Sequence, residues 1–189
     1  MTNPNSRYLL TLFLLLAAIP LAHAKQTDDE QRAEIRERAA KALERLYKEQ
    51  PGSQQAIESA VGYAVFSNFG MKIFFAGGGS GKGLARDNKS GKETFMKMVE
   101  IQAGLGLGAK KYQLVWVFET QNTLDSFVNS GWEIGAQASA SAQSGDTGAT
   151  LEGAISISPG VWLYQMTEHG LALDLTAKGT KYYEDDDLN

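Results

Sequence analysis

From Ile134 to Ala140, small and apolar residues fall on every second position. Ile134, Ala136, Ala138 and Ala140 point one way; Gly135, Gln137, Ser139 and Ser141 point the other. That period belongs to a strand with one packed face and one polar face. Leu171, Leu173 and Leu175 repeat the pattern, with Ala172, Asp174 and Thr176 opposite. Between Ala103 and Ala109, Gly104, Gly106 and Gly108 alternate with Leu105 and Leu107. A glycine face on a strand means that something packs against bare backbone. The chain is therefore expected to fold around a sheet of small residues that its other segments cover or extend.

Those segments divide into helices and further strands. Thr27-Asp-Asp-Glu30 is a capping box and predicts a helix to about Glu49. Ile35, Ala39, Ala42, Leu43 and Leu46 form its apolar stripe. Glu34 with Arg38, Glu37 with Lys41 and Glu44 with Lys48 are i,i+4 pairs on its outer side. Gln50-Pro-Gly52 stops it, and Ser53 is expected to cap a short second helix to about Ala60. Tyr63–Phe66 and Ile73–Ala76 predict two short strands separated at Asn68-Phe-Gly70. Gly81–Asp87 and Glu93–Glu100 predict a hairpin across Asn88-Lys-Ser-Gly91. Gln113–Phe118 is the most apolar strand and is expected to be central. Asn122 or Thr123 is expected to cap a third helix, closed by Gly131.

Composition bounds the function. Arg7, the apolar run Tyr8–Leu21 and Ala22-His-Ala24 read as a signal peptide over residues 1–24, cleaved after Ala24. The expected location is the periplasm, peripheral to a membrane. Removing Arg7 takes the formal charge from −4 to −5. That balance argues against nucleic acid as partner, which wants a concentrated basic face. It also argues against strong bulk attraction to anionic lipid, so lipid contact has to be local or apolar. The chain has no Cys, which removes disulfides, thiol catalysis and thiolate metal sites.

Few residues carry chemistry. Gly77-Gly-Gly-Ser-Gly-Lys-Gly83 fails as a phosphate loop: Ala76 stands where the first Gly is needed, and Gly83 where Ser or Thr must follow Lys82. It reads either as a glycine turn between strands or as a local phosphate contact. In the second reading Gly79, Gly81 and Gly83 let backbone N–H groups approach an anion, and Lys82 and Arg86, joined by Lys72, supply charge. His169 is the single His of the mature chain and reads as a turn residue. Asp185-Asp-Asp187 lacks the rest of a calcium loop and reads as a solvated tail or a docked C-terminus. No catalytic residue, metal site or cofactor is expected.

Five blocks carry a family resemblance: Gly62-Tyr-Ala-Val-Phe66, Gly77–Arg86, Ala103-Gly-Leu-Gly-Leu-Gly-Ala109, Ser130-Gly-Trp-Glu-Ile-Gly-Ala136, and Ser158–Leu173 with Gly179–Asn189. In that order they resemble the bacterial branch of the SYLF, or Ysc84-like, family, from about Ser53 to Asn189. The resemblance implies a non-catalytic lipid-binding module over residues 53–189 that associates with phospholipid or an envelope membrane. The alternative is an envelope module that binds a protein partner. Residues 25–52 form the N-terminal helix. The resemblance favours placing that helix on lipid, with Ile35, Leu43 and Leu46 toward acyl chains and Arg32, Arg36 and Lys48 near head groups. Its residues alone favour docking on the sheet, because the stripe is Ala-rich and lacks Trp or Phe. The expected fold class is α+β: a curved mixed or antiparallel sheet or partial barrel, covered by two or three helices.

Overall fold

A hairpin of two 26-residue strands, β1 (Gly62–Asp87) and β2 (Glu93–Phe118), organises the computed structural model. The structure describes residues 26–134, 151–172 and 178–189, and only the backbone of 69–77, 102–110, 132–134 and 178. The two strands pair antiparallel along their whole length, from Gly62 opposite Phe118 to Arg86 opposite Glu93. The separate short strands expected on either side of Asn68-Phe-Gly70 are thus one strand, since Asn68 pairs with Tyr112 and Gly70 with Lys110. The run Gly78–Gly83 is likewise strand and not a turn, pairing with Ile101 through Met96. The turn at Asn88–Gly91 stands where the sequence placed it, with Gly91 N–H donating to the Asp87 carbonyl.

The hairpin folds back on itself near its middle, where the register shifts between Phe74 and Ala76. The shift changes the parity of β1: even positions Ala64, Phe66 and Asn68 face inward before it, odd position Ala85 after it. The two halves then meet backbone to backbone. A Cβ at Gly62 would lie 2.5 Å from the Arg86 carbonyl oxygen, and one at Gly81 2.7 Å from that of Ser67. At Gly83 it would collide with the Val65 carbonyl and come within 2.6 Å of the Phe66 ring. Glycine here gives room for main chain against main chain.

The other strands flank β2. Its first half pairs with β7 (Lys178–Glu184) and its second with β5 (Val161–Thr167). β3 (Trp132–Ile134) adds to β7; β4 (Ile155–Ser158) and β6 (Gly170–Leu171) add to β5. Among the described residues every pairing is antiparallel, and seven strands form one curled sheet with helices on both sides, an α+β fold. β2 is its centre, as Gln113–Phe118 foretold. Most of the Ile134–Ala140 and Leu171–Leu175 alternations, and the polar interruption at Ser144–Gly148, lie outside the described residues.

The enclosed face holds Phe66, Trp116, Phe118, Phe127 and Tyr182, with ring centroids 4.9–6.5 Å apart. Tilted and edge-on pairs predominate, as ring quadrupoles favour. α3 (Gln121–Ser130) covers this face with Leu124 and Phe127. Its cap is Thr120, whose hydroxyl accepts from the Thr123 N–H, and not Asn122 or Thr123. Thr120 already has extended backbone, which a capping residue needs.

The outer face carries α1 (Asp28–Glu49) and α2 (Gly52–Ser59). Both bonds of the Thr27–Glu30 capping box form. Ile35, Ala39, Ala42 and Leu46 are buried against Val65, Leu84, Phe95, Val115 and Trp162, with Leu43 packed at the margin. The helix is therefore docked on the sheet, and the lipid-facing orientation of Ile35 and Leu46 does not occur in this arrangement. Burying a side chain such as Leu46 stabilises by about 1.5–3 kcal/mol, more than a salt-bridged outer face supplies. Ser53 does not cap α2; it is buried and donates to the Gln50 carbonyl. No helix among the described residues is long and apolar enough to cross a membrane.

Candidate functional site: a basic cleft under the first helix

α1 covers only one end of the outer face. Beside it, lined where Ser67 and Gly81 of the two halves meet, lies a cleft of about 910 Å³. α1 contributes Arg38, Lys41 and Arg45; β1 contributes Lys82 beside Ser80 and Gly81; β2 contributes Lys97 and Lys111. Among the described residues, these six bases face a single lining acid, Glu168. The helix places its three by spacing, since positions 38, 41 and 45 fall on one side of an α-helix. The hairpin places the others by register, because Lys82 pairs directly with Lys97.

The bases are held in different ways. Arg38 pairs with Glu34 and Lys41 with Glu37, one turn away on the exposed side. Such pairs contribute little and yield readily to a stronger anion. Arg45 donates to the Thr167 carbonyl at 2.5 Å and pairs with Glu49, which fixes it across the cleft. Lys111 is exposed and makes no ion pair among the described residues. Lys82 donates to Gln31 Oε1 at 2.7 Å.

Lys82 and Lys97 also share the C-terminal tail. Asp185 is 1 % exposed; Lys97 Nζ lies 2.5 Å from its Oδ1, and Lys82 Nζ 3.8 Å from its Oδ2. Asp185 holds the Lys97 ammonium above the usual lysine range, with Asp187 adding to it. The tail is anchored rather than solvated: Asp185 N–H donates to the Phe95 carbonyl, Asn189 brackets Phe95, and Arg32 Nε donates to the Leu188 carbonyl. Tyr182 is buried and its hydroxyl is pushed up by that burial, whereas Tyr183 stands at the cleft edge. On the enclosed side of the floor, Glu100 is buried and accepts from Asn68 Nδ2 at 2.8 Å.

The phosphate contact expected around Lys82 is only partly assembled. Lys82 and Gly81 line the cleft. Arg86 does not; it is tied to Glu93 at 3.1 Å. Gly83 is consumed by the backbone crossing at Val65, and Gly79 pairs with Glu100 in the sheet. The side chain of Lys72 lies outside the described residues; its backbone pairs with Gly108. Of the helix bases expected near head groups, Arg32 holds Asp29 and the tail, Arg36 pairs with Glu93 and stacks 5.0 Å over Phe95, and Lys48 pairs with Glu44. None of the three lines the cleft. The residues that do, Arg38, Lys41 and Arg45, were legible as a stripe at i, i+3 and i+7. Lys97 and Lys111 needed the fold-back, which no local pattern reports. His169 sits exposed in the β5–β6 turn, and no cluster of His, Asp or Glu able to hold a metal occurs among the described residues.

Comparison with known proteins bears on this arrangement. The family model described as "Ysc84: Las17-binding protein actin regulator" matches residues 99–189. Beta cell expansion factor A of Aeromonas veronii is 36% identical over 165 residues, covering 86% of this chain. The chain spans 60% of the length of that relative. The family match begins at Val99 on β2 and runs through β5 and β7 to the docked tail, so it contains much of the sheet that builds the cleft. By this match residues 99–189 carry the Ysc84, or SYLF, domain that the sequence blocks of that half resembled.

Proposed function

We propose that the protein binds phospholipid at a bacterial envelope membrane, without catalysis, and that the basic cleft takes the phosphate of the head group. The observation that carries this reading is the convergence of six basic side chains on one cleft of a chain whose formal net charge is −4. An acidic protein that concentrates bases in one concavity creates a local positive potential that its overall charge would not. Phosphate oxygens accept charge-assisted hydrogen bonds from Lys and Arg, and the exposed Arg38 and Lys41 exchange their weak carboxylate pairs for them at little cost. The lipid association implied by the family agrees with this chemistry. The charged, apolar and small-residue pattern of residues 1–24, read as a signal peptide, supports a periplasmic location.

Vesicle co-sedimentation tests the reading. Wild-type protein is expected to bind phosphatidylglycerol-containing vesicles, with an affinity that falls modestly with salt, since few charges are involved. Lys41→Ala/Lys111→Ala removes two exposed bases without touching the core and should weaken binding roughly tenfold or more. Equal binding by this variant and wild type would remove the cleft from the account. Arg86→Ala, which changes a residue outside the cleft lining, should have a smaller effect.

A further inference from the structure

Three large apolar side chains stand exposed among the described residues: Val99 at 41 %, Ile101 at 71 % and Tyr183 at 36 %. Strand geometry gathers all three on one face. Val99 and Ile101 are two apart on β2 and point the same way as Lys97. Tyr183 on β7 lies directly opposite Lys97. Single exposed apolar residues need no explanation, but a contiguous set at the edge of a basic cleft does.

The cross-strand neighbours explain the exposure. Ile101 pairs with Gly78 on β1 and Gly179 on β7, so no side chain flanks it on either strand. Val99 sits between Ser80 and Lys181, and Lys97 between Lys82 and Tyr183. The face therefore grades along β2 from a bare aliphatic tip to a row of lysines. With a rise of about 3.4 Å per residue, Ile101 and Lys97 are about 14 Å apart.

We infer that this strip is the part of the protein that enters the bilayer. Its occupant is the interfacial zone of an anionic phospholipid membrane, with Ile101 and Val99 among the upper acyl carbons and Lys97 and Lys82 at the level of the phosphates. The inference rests on the phospholipid reading above and adds where and how the membrane is met. Interfacial elements bury their apolar side about 5–10 Å deep, which leaves a lysine row about 14 Å behind the tip outside the acyl region. Charge complementarity selects this occupant over a second copy of the chain. A two-fold contact through the same strip would bring together two surfaces that both carry an excess of positive charge. The mode is docking onto lipid that stays in the membrane, rather than withdrawal of a lipid into the protein.

The absence of cysteine makes the test direct. Ile101→Cys is labelled with an environment-sensitive dye; Asp125→Cys on α3, across the sheet, serves as control. With phosphatidylglycerol vesicles, the dye at 101 should shift to the blue and be quenched by lipids brominated high on the acyl chain, while the dye at 125 should not change. Val99→Ser/Ile101→Ser, at exposed positions, should keep the thermal midpoint yet lose about tenfold or more in vesicle affinity. Ile101→Ser alone, outside the cleft lining, should leave binding of soluble glycerophosphoglycerol, which has no acyl chains, unchanged. A dye at 101 that stays in water when the protein is vesicle-bound overturns the inference, as does unchanged vesicle binding by the double variant. Wild type that binds glycerophosphoglycerol but not vesicles overturns the strip and leaves the head-group reading standing. Wild type that binds neither overturns both. A dimer in solution that the double variant dissociates, with no dye shift on vesicles, gives the strip to a second copy and overturns membrane entry.

Discussion

At Gly83 a single hydrogen in place of a methyl group decides whether the hairpin can fold back. Gly83→Ala would drive its Cβ into the Val65 carbonyl and the Phe66 ring, neither at the loose end of a flexible chain. A loss of about 1–3 kcal/mol is expected, read as a lower denaturant midpoint, whereas Gly52→Ala, with open space around it, should cost far less. The glycines of Gly77–Gly83 were conspicuous in the sequence, but their reason was not. They suggested a turn or an anion cradle, whereas the collision partner lies almost 20 residues earlier on the same strand, beyond the reach of local pattern. Charge at this scale gives a pH prediction. The folded state raises Lys97 through Asp185, and raises Tyr182 through burial. Both groups have folded values above their unfolded ones, so their contribution is fully present below about pH 10 and is lost as pH rises through the folded values. The thermal midpoint should therefore fall on the alkaline side, and Lys97→Met, already less stable at neutral pH, should show a shallower alkaline fall. An alkaline slope identical in the variant would show that the Lys97–Asp185 pair contributes nothing there.

The first helix was the element most readable in advance, and the one whose destination was open. Its capping box, its stripe and its stop at Pro51 all stand where the residues placed them, because helix signals are local. Whether the stripe met lipid or sheet depended on whether a complementary apolar surface existed. Val65, Leu84, Phe95 and Val115 supply it, but they come from two strands paired in a register no single stretch reveals. Leu46→Ala should therefore cost about 2–5 kcal/mol, as burial in a packed core requires. Deleting residues 25–50 should yield protein that unfolds or aggregates, because it uncovers the Trp162–Phe95 surface. If the deletion variant folds with an unchanged thermal midpoint and loses only vesicle binding, the helix is a lipid element and not a structural one. The long strands were legible only as fragments. Polar and glycine residues at Asn68-Phe-Gly70 looked like a break, yet a 26-residue strand tolerates them when each is paired across to β2.

For the molecule as a whole, net charge and local charge point in opposite directions, and the fold reconciles them. The acids are spread over helix surfaces and the tail, while six bases converge where α1 ends its cover of the hairpin. Vesicle affinity should accordingly fall with salt, but with a shallow dependence, because only a few exposed bases exchange partners and Lys97 remains tied to Asp185. A steep loss of affinity across the same salt range would point to a diffuse charged surface instead. The most direct measurement is a backbone amide chemical-shift map of the mature protein titrated with dihexanoyl phosphatidylglycerol below its micelle concentration. The account predicts perturbations clustered on Ser80–Lys82 of β1, Lys97–Val99 and Lys111–Gln113 of β2, and Arg45 of α1. Perturbations absent at saturating lipid, or gathered on α3 and the β4 edge with the cleft silent, would contradict it.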